Sequence, residues 1–412
     1  MYDNIIMAVD AGSQMIKVVI AEINEQSEPT ILGFGTANSR GIKNGQVIDI
    51  FEATDSISTA IDNAEKMANL HTELCIATLS GDHIKGLNTS SAVIIDEHSS
   101  DSDLLKTVNE EDIDKLISHA KAIDLPVDWK ILHLIPQEFV LDNQSGIKNP
   151  INLSCRRLEA RIHLIAYNYT SAINLKRSIE NTGVKVTQFF SHSLASAYGT
   201  LYKDEMELGA ILIDIGSDNT KLSVFYSGGI YQTSIINNAG KNITTDIAYL
   251  MQIPLSTAEN LKKEYGSAIP NEKHKDKEIQ IELINGSKIS ITKYTLASYI
   301  EPRVEEIFSD IKNECRKANL NFYRTFPVVI TGGTANLQRI DELAELVFET
   351  KSRTGLPYGF SEMPDELKKP EFAASLGLLR CFGELSKKSL TQTKSFKKRK
   401  FKWLENLLKK IL

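Results

Sequence analysis

The sequence predicts an α/β protein built as two similar lobes with a cleft between them. Three observations predict it. A strand-like run carrying Asp-x-Gly occurs twice, as MAVDAGSQMIKVVIAE from Met7 and as GAILIDIGSDNTKLSVF from Gly209. Each copy continues into a second alternating run, as an antiparallel partner strand does. A third apolar run, PVVITGGTANLQRI from Pro327, passes through Gly332-Gly333 into helical spacing. The chain has 412 residues, 42% hydrophobic and 24% charged. That is ordinary globular composition, and the length suggests roughly two to four domains.

In order, residues 5–9 and 16–23 read as strands around a turn over 10–14, and 31–37 and 47–50 extend the sheet. Residues 51–70 have helical spacing, with Ile57, Ile61, Ala64 and Ala68 on one face. A strand returns over 73–79. A polar stretch with turn residues at 98–103 precedes a helix over 110–123. Residues 130–141 and 159–167 are strand-like around a turn segment, 142–152. A helix over 169–182, a strand over 185–190 and a helix over 192–203 follow. The second half opens with strands over 208–216, 220–226 and 229–235, then helices over 240–251 and 255–265. Residues 273–288 are charged and hairpin-like around Asn285-Gly286, and 294–320 form a long amphipathic helix. The strand over 327–333 leads to helices over 337–349 and 370–385. A polar linker over 386–395 reads as disordered, and the last helix covers 396–412.

Several classes are excluded. No apolar run reaches the roughly 18 residues that a membrane-crossing helix needs. The first eight residues have no basic segment and no cleavage site, so no secretory leader is expected. Cys75, Cys155, Cys315 and Cys381 lie far apart and read as reduced core thiols of a cytosolic protein. The eight histidines are scattered, so no protein-built zinc site is expected.

The net charge of −6 hides an asymmetry. Residues 386–412 hold ten Lys/Arg and one acid, Glu405, so the tail carries +9 and the body −15. At 3.6 residues per turn, Phe401, Trp403, Leu404, Leu407, Leu408 and Ile411 share one half of a helix. Lys402, Glu405, Lys409 and Lys410 share the other, behind the basic run Lys397, Lys398, Arg399 and Lys400. Such a helix suits the surface of an anionic membrane. A nucleic-acid partner leaves the apolar face unexplained and is not expected.

The Asp-x-Gly turns suggest phosphate chemistry. Asp10 stands at a strand end, and Gly12, Ser13 and Gln14 let backbone N–H groups approach a phosphate closely. Lys17 reaches as a point charge. The plain alternative is a hairpin turn. Asp214, Gly216 and Thr220 repeat the arrangement, and two facing acids, Asp10 and Asp214, would hold a hydrated Mg²⁺. Gly332-Gly333 leaves room for a nucleoside and its phosphates.

That set resembles the actin, Hsp70 and sugar-kinase ATPase superfamily. RGIKNGQVIDI from Arg40, TLSGDHIKG from Thr78, HLIPQEFVLDNQSGIKNPINL from His133, LASAYGTLYKDEMELGAILIDIG from Leu194 and IEPRVEEIFSDIKNE from Ile300 are similar to the FtsA family of cell-division proteins. The resemblance implies an actin-like two-lobed ATPase fold of duplicated RNase H-like lobes, with an FtsA-type insertion and a C-terminal amphipathic helix. It places the first lobe at 1–83 and 166–193 with part of 370–385, and the insertion at 84–165. The second lobe takes 194–236 and 318–369, with a smaller subdomain at 237–317. Residues 386–395 are the linker and 396–412 the membrane helix.

It further implies ATP with Mg²⁺ in the cleft and filaments of the chain with itself. FtsZ is bound through its C-terminal peptide, later division proteins also bind, and the location is the cytoplasmic face of the inner membrane at the septum. Gly240 falls in the nucleotide set, Glu259 and Lys262 fall at the ribose and base, and Arg303, Glu305 and Glu306 at the partner peptide. For Glu259 and Lys262 a solvated charge pair is the plain alternative; for the Arg303 helix, a solvated face. FtsA-like pilus-assembly ATPases and soluble ATP-hydrolysing relatives are the rival readings.

The chain departs from the family at the second turn, where DIGSDNTK stands for DIGGGTTD. Ser217 and Asp218 replace glycines, Asn219 a threonine and Lys221 an acid, so hydrolysis is expected to be slow or absent. Where hydrolysing relatives carry a water-orienting acid, this chain has His192, whose neutral imidazole would accept a proton from water. Helix capping by Ser191 or Ser193 is the alternative use of that segment.

Overall fold

The computed structural model describes residues 4–23, 28–95, 106–282, 286–318 and 324–391. Two five-stranded sheets are wired alike. In the first, strands Thr30–Asn38, Met15–Glu22 and Ile5–Ala11 form an antiparallel meander, and Leu74–Leu79 and Lys185–Ser191 add in parallel. In the second, Gly229–Ile236, Thr220–Tyr226 and Ala210–Ile215 form the meander, and Val328–Thr331 and Ser352–Thr354 add in parallel. The Asp-x-Gly repeat therefore marks a repeat of whole sheets. The central strands are buried on both faces, which is why they read as near-continuous apolar runs.

Two helices cross at the seam between the sheets, His192–Thr200 and Ala373–Thr391. Glycine sets how closely they approach. A Cβ at Gly377 would stand 1.9 Å from the Ala195 carbonyl oxygen, and one at Gly199 would stand 2.1 Å from that of Ala373. Gly377→Ala must push the helices apart, and overpacking of this kind costs about 1–3 kcal/mol. The expected outcome is a lower thermal midpoint, read by differential scanning fluorimetry. An unchanged midpoint would show that the seam yields freely.

A third sheet, ordered Ile84–Ile94, Arg157–Asn168, Trp129–Leu141, Gln144–Ile147, lies between Leu74–Leu79 and Lys185–Ser191 in the chain. Helix Glu110–Lys121 closes one face, burying Leu116 and Ala120 against Phe139, Leu141, Leu158 and Ile162. This unit docks on the edge strand of the second lobe. Asn88 donates to the Tyr231 carbonyl and Gln137 to the Ile230 carbonyl, both at 2.9 Å. His163 lies 2.7 Å from Asn88 Oδ1 and 2.9 Å from Thr233 Oγ1. Burial pushes the His163 imidazole down to about 4, so it is neutral at pH 7 and accepts from Thr233. Helices Gly240–Met251, Leu255–Tyr265 and Lys293–Lys317, with hairpin Glu278–Glu282/Lys288–Thr292, extend the second lobe and share one core with its sheet.

Some expectations are corrected. Strand Ile84–Ile94 falls in a segment read as merely polar, because only one of its faces meets a core. The helix over 192–203 is two, His192–Thr200 and Lys203–Leu208, broken where Leu201 turns extended. Residues 370–372 form a 3₁₀ turn, and the following helix runs to Thr391, so 386–391 of the expected disordered linker are helical. The rest of that linker and the membrane helix over 396–412 lie outside the described residues. Among the described residues, no helix is long and apolar enough to cross a membrane.

Candidate functional site

The two hairpins carry their charges in the same register. Asp10 pairs across the strands with Lys17, and Asp214 with Lys221. Both aspartates are buried, and so is Lys221. Helix His192–Thr200 begins directly where strand Lys185–Ser191 stops, and its first residue drives a ring between the two acids. His192 Nδ1 lies 3.0 Å from Asp10 Oδ1, and Nε2 lies 3.0 Å from Asp214 Oδ2. Thr78 donates to Asp10 Oδ1 at 2.7 Å, Lys17 reaches Asp10 Oδ2 at 3.2 Å, and Ser196 donates to Asp214 Oδ2.

Burial alone would raise both carboxyls, but the charges around them win. Lys17 and His192 hold Asp10 well below the usual carboxylate range, and His192 and Lys221 do the same for Asp214. Burial and Lys221 oppose a charge on His192, and the two aspartates outweigh them, so its imidazole is raised. A neutral ring would aim one lone pair at a carboxylate. Both nitrogens of His192 face carboxylates, so neither is turned to water, and the expected neutral, proton-accepting role finds no free ring nitrogen.

The cleft encloses about 540 Å³, within the usual range for a small-molecule site. Asp10, Gly12, Ser13, Gln14, Lys17, Asp214, Gly216, Ser217, Asn219, Gly240, Glu259, Lys262, Gly332 and Gly333 all line it. Thr220 does not: it is fully buried, and its hydroxyl donates to the Asn238 carbonyl at 2.7 Å. At Gly332 the backbone has φ 87°, and a Cβ would stand 2.5 Å from Asp214 Oδ1, so only glycine lets this turn lie against the acid.

Glu259 and Lys262 are not a solvated pair. Lys262 is 7% exposed, and its ammonium donates to the Gly240 carbonyl at 2.9 Å and Thr244 Oγ1 at 2.8 Å, beside Glu259 Oε2 at 2.6 Å. Glu259 also accepts from Gln14 at 3.1 Å, across the cleft. Asp218 accepts from the Asn44 backbone N–H at 2.9 Å, a second link between lobes. The sequence reading did not place Asn44, Gly45, Ser80 or Lys369 near the site, since they come from distant loops. The repeated Asp-to-Lys spacing of seven residues was a visible pointer to Lys221. Arg303 stands apart, forked onto Asp246 at 2.6 and 3.0 Å and paired with Glu306; Glu305 and Glu306 are exposed.

The family model described as Cell division protein FtsA matches residues 211–377, and that described as SHS2 domain inserted in FTSA matches residues 81–166. Cell division protein FtsA of Borreliella burgdorferi is 35% identical over 378 residues, 91% of this chain and 90% of that protein. FtsA of Escherichia coli K12 is 32% identical over 383 residues, 91% of this chain and 89% of that protein. The chain belongs to the FtsA family of cell division proteins. Its inserted four-stranded sheet coincides with the SHS2 match. Among solved structures, the PilM-PilN type IV pilus biogenesis complex superposes with a TM-score of 0.66 at 14% identity, covering 92% of this chain and 98% of that one. MreB5 of Spiroplasma citri bound to ADP gives 0.53 at 14% identity, covering 95% and 100%. At that identity the likeness establishes the fold alone, which is actin-like.

Proposed function

We propose that this FtsA-family chain binds ATP between its lobes, assembles with copies of itself on the cytoplasmic membrane at the septum, and tethers the FtsZ ring there. The cleft carries the nucleotide part of this proposal: two glycine turns and the Gly332-Gly333 turn converge on a site of about 540 Å³ with Lys17 and Lys221 at its base. These lysines attract phosphate, and the narrow turns admit it to backbone distance. The pilus-assembly and soluble-enzyme readings lose to the division family on sequence identity along 91% of the chain.

Mg²⁺ bridging Asp10 Oδ1 and Asp214 Oδ2 directly does not fit. His192 lies between Asp10 Oδ1 and Asp214 Oδ2, which also accept from Thr78 and Ser196, and Lys17 reaches Asp10 Oδ2. A divalent ion that accompanies ATP is held by phosphates and meets Asp10 and Asp214 through water. Turnover is slow, because Asp218 places a carboxylate in the second turn and both nitrogens of His192 face carboxylates rather than water. Calorimetry of the full chain with ATP, paired with a phosphate-release assay, checks both statements. Expected is saturable binding with little release over an hour; rapid multiple turnover would refute the second. The exposed Glu305 and Glu306, on the helix that Arg303 ties to Asp246, form the proposed contact for the FtsZ C-terminal peptide. Reversing both glutamates to lysine lowers the peptide's affinity, read by fluorescence anisotropy; unaltered affinity would move the contact elsewhere.

A further inference from the structure

A hairpin of the first lobe straps the two glycine turns together. Its strands Ile42–Lys43 and Gln46–Val47 pair antiparallel, and its tip, Asn44 and Gly45, turns with φ of 51° and 75°. The Gly45 N–H donates to Ser13 Oγ at 3.1 Å, in the first turn, and the Asn44 N–H donates to Asp218 Oδ2 at 2.9 Å, in the second. Adjacent backbone N–H groups in a turn attract anions. We infer that Asp218 acts there as a built-in anion in the place of a nucleotide's terminal phosphate, and so makes the cleft prefer a nucleoside diphosphate to the triphosphate. The preference rests on the reading of the cleft as a nucleotide site; the strap between lobes stands on the geometry.

Three observations carry it. First, the tip is firmly seated. A Cβ at Gly45 would stand 2.0 Å from the Ser80 carbonyl oxygen, and one at Gly81 would stand 2.1 Å from that of Asn44. Backbone lies on backbone, so the tip stays with the turn after strand Leu74–Leu79, in the first lobe. The bond from Asn44 to Asp218 therefore ties lobe to lobe. Second, the carboxylate is sunk in the cleft wall. Ser13, Gly45, Ser217 and Asp218 line the same cavity, and the Asp218 side chain is 7% exposed. Third, its charge is weakly offset. Lys241 Nζ stands 3.9 Å from Oδ1 on a side chain that is 55% exposed, and Ser217 Oγ donates to the same oxygen at 3.3 Å.

A terminal phosphate between the two glycine turns would lie against this carboxylate where water screens little, and like charges repel strongly there. A diphosphate is shorter by that group. It keeps the attraction of Lys17 and Lys221 and leaves the strap closed. A triphosphate has to displace Asp218 from Asn44, which unties the lobes, so the length of the bound nucleotide is converted into the freedom of one lobe to move against the other.

The test uses the full chain and two readouts. Calorimetric titration with ADP and with ATP, each in excess Mg²⁺, gives the ratio of the two dissociation constants. Wild-type protein should bind ADP at least about fivefold more tightly than ATP. Asp218→Asn keeps an acceptor for the Asn44 N–H and removes the charge, so it should tighten ATP and bring the ratio to within about twofold. Wild-type protein that binds ATP as tightly as ADP would overturn the inference. So would a ratio that Asp218→Asn leaves unaltered or moves further towards ADP. The second readout needs no nucleotide: hydrogen exchange of residues 41–47, followed by mass spectrometry. Asp218→Gly should speed it at least about fivefold and leave residues 74–79 unaltered, because only the strap is lost. Equal exchange in the two proteins would show that Asp218 does not hold the hairpin, and would overturn the inference as well. If neither nucleotide binds while exchange responds to Asp218→Gly, the nucleotide reading fails and takes the preference with it, and the strap stands. Should Asp218→Asn not fold, the wild-type ratio decides.

Discussion

Asp214→Ala lowers the thermal midpoint sharply and abolishes nucleotide binding. The residue is 3% exposed, and removing its carboxylate strands His192 Nε2 and the Ser196 hydroxyl and takes the opposing charge from buried Lys221. Breaking a buried pair by deleting one partner costs about 3–5 kcal/mol, because the surviving charge stays buried. Asp214→Asn keeps the shape and an acceptor, so it should cost less while still weakening the hold on the His192 ring. The pH dependence distinguishes this account from simple loss of packing. Asp10 and Asp214 are held low, so their stabilisation is present above the ordinary carboxylate value of about 4 and is lost as pH falls through their lowered values. His192 is held high, so its share is fully present below its ordinary value of about 6.5 and is lost as pH rises through its raised one. The midpoint difference between wild type and Asp214→Ala should therefore be greatest between about pH 4 and 6.5. A difference independent of pH would mean that the bridge contributes no charge interaction.

Truncation after Ser395 releases the protein from liposomes. The apolar half of the tail offers Phe401, Trp403, Leu404, Leu407, Leu408 and Ile411, worth up to about 1.5–3 kcal/mol each if fully buried. Interfacial insertion is partial, and ordering a short helix takes back part of the gain. The basic residues add roughly 1 kcal/mol each near an anionic surface. A single tail should bind weakly and a filament of tails tightly, through effective concentration. Trp403→Glu places a charge in the apolar arc and should abolish binding at any salt. Neutralising Lys397, Lys398, Arg399 and Lys400 should weaken it mainly on anionic vesicles at low salt. Co-sedimentation of the full chain against the truncated one is decisive: equal pelleting would show that the anchor lies elsewhere.

The duplicated lobes were legible because a strand buried on both faces writes a continuous apolar run, and a turn that admits a phosphate needs glycine beside it. Those are local demands, met within about 16 residues each, so Asp10, Gly12, Asp214, Gly216 and Gly332 could be read directly from the chain. The insertion was harder. Strand Ile84–Ile94 carries polar residues on the face that does not meet the core, and the strand that pairs with it, Arg157–Asn168, arrives more than 60 residues later.

What the sequence determined by itself is the pair of Asp-x-Gly turns, the order of strands around them and the charge division of the tail. Each depends on neighbours in the chain. What the tertiary structure alone decided is the meaning of His192, Lys262 and Thr220. In the sequence, His192 is one of eight histidines, and a neutral ring at pH 7 is its ordinary state. Only the seam helix brings it between Asp10 and Asp214, residues 182 and 22 positions away, and two carboxylates at 3.0 Å raise its affinity for a proton. The state of a titratable group follows the field around it, and that field is assembled from parts of the chain that meet only when it folds.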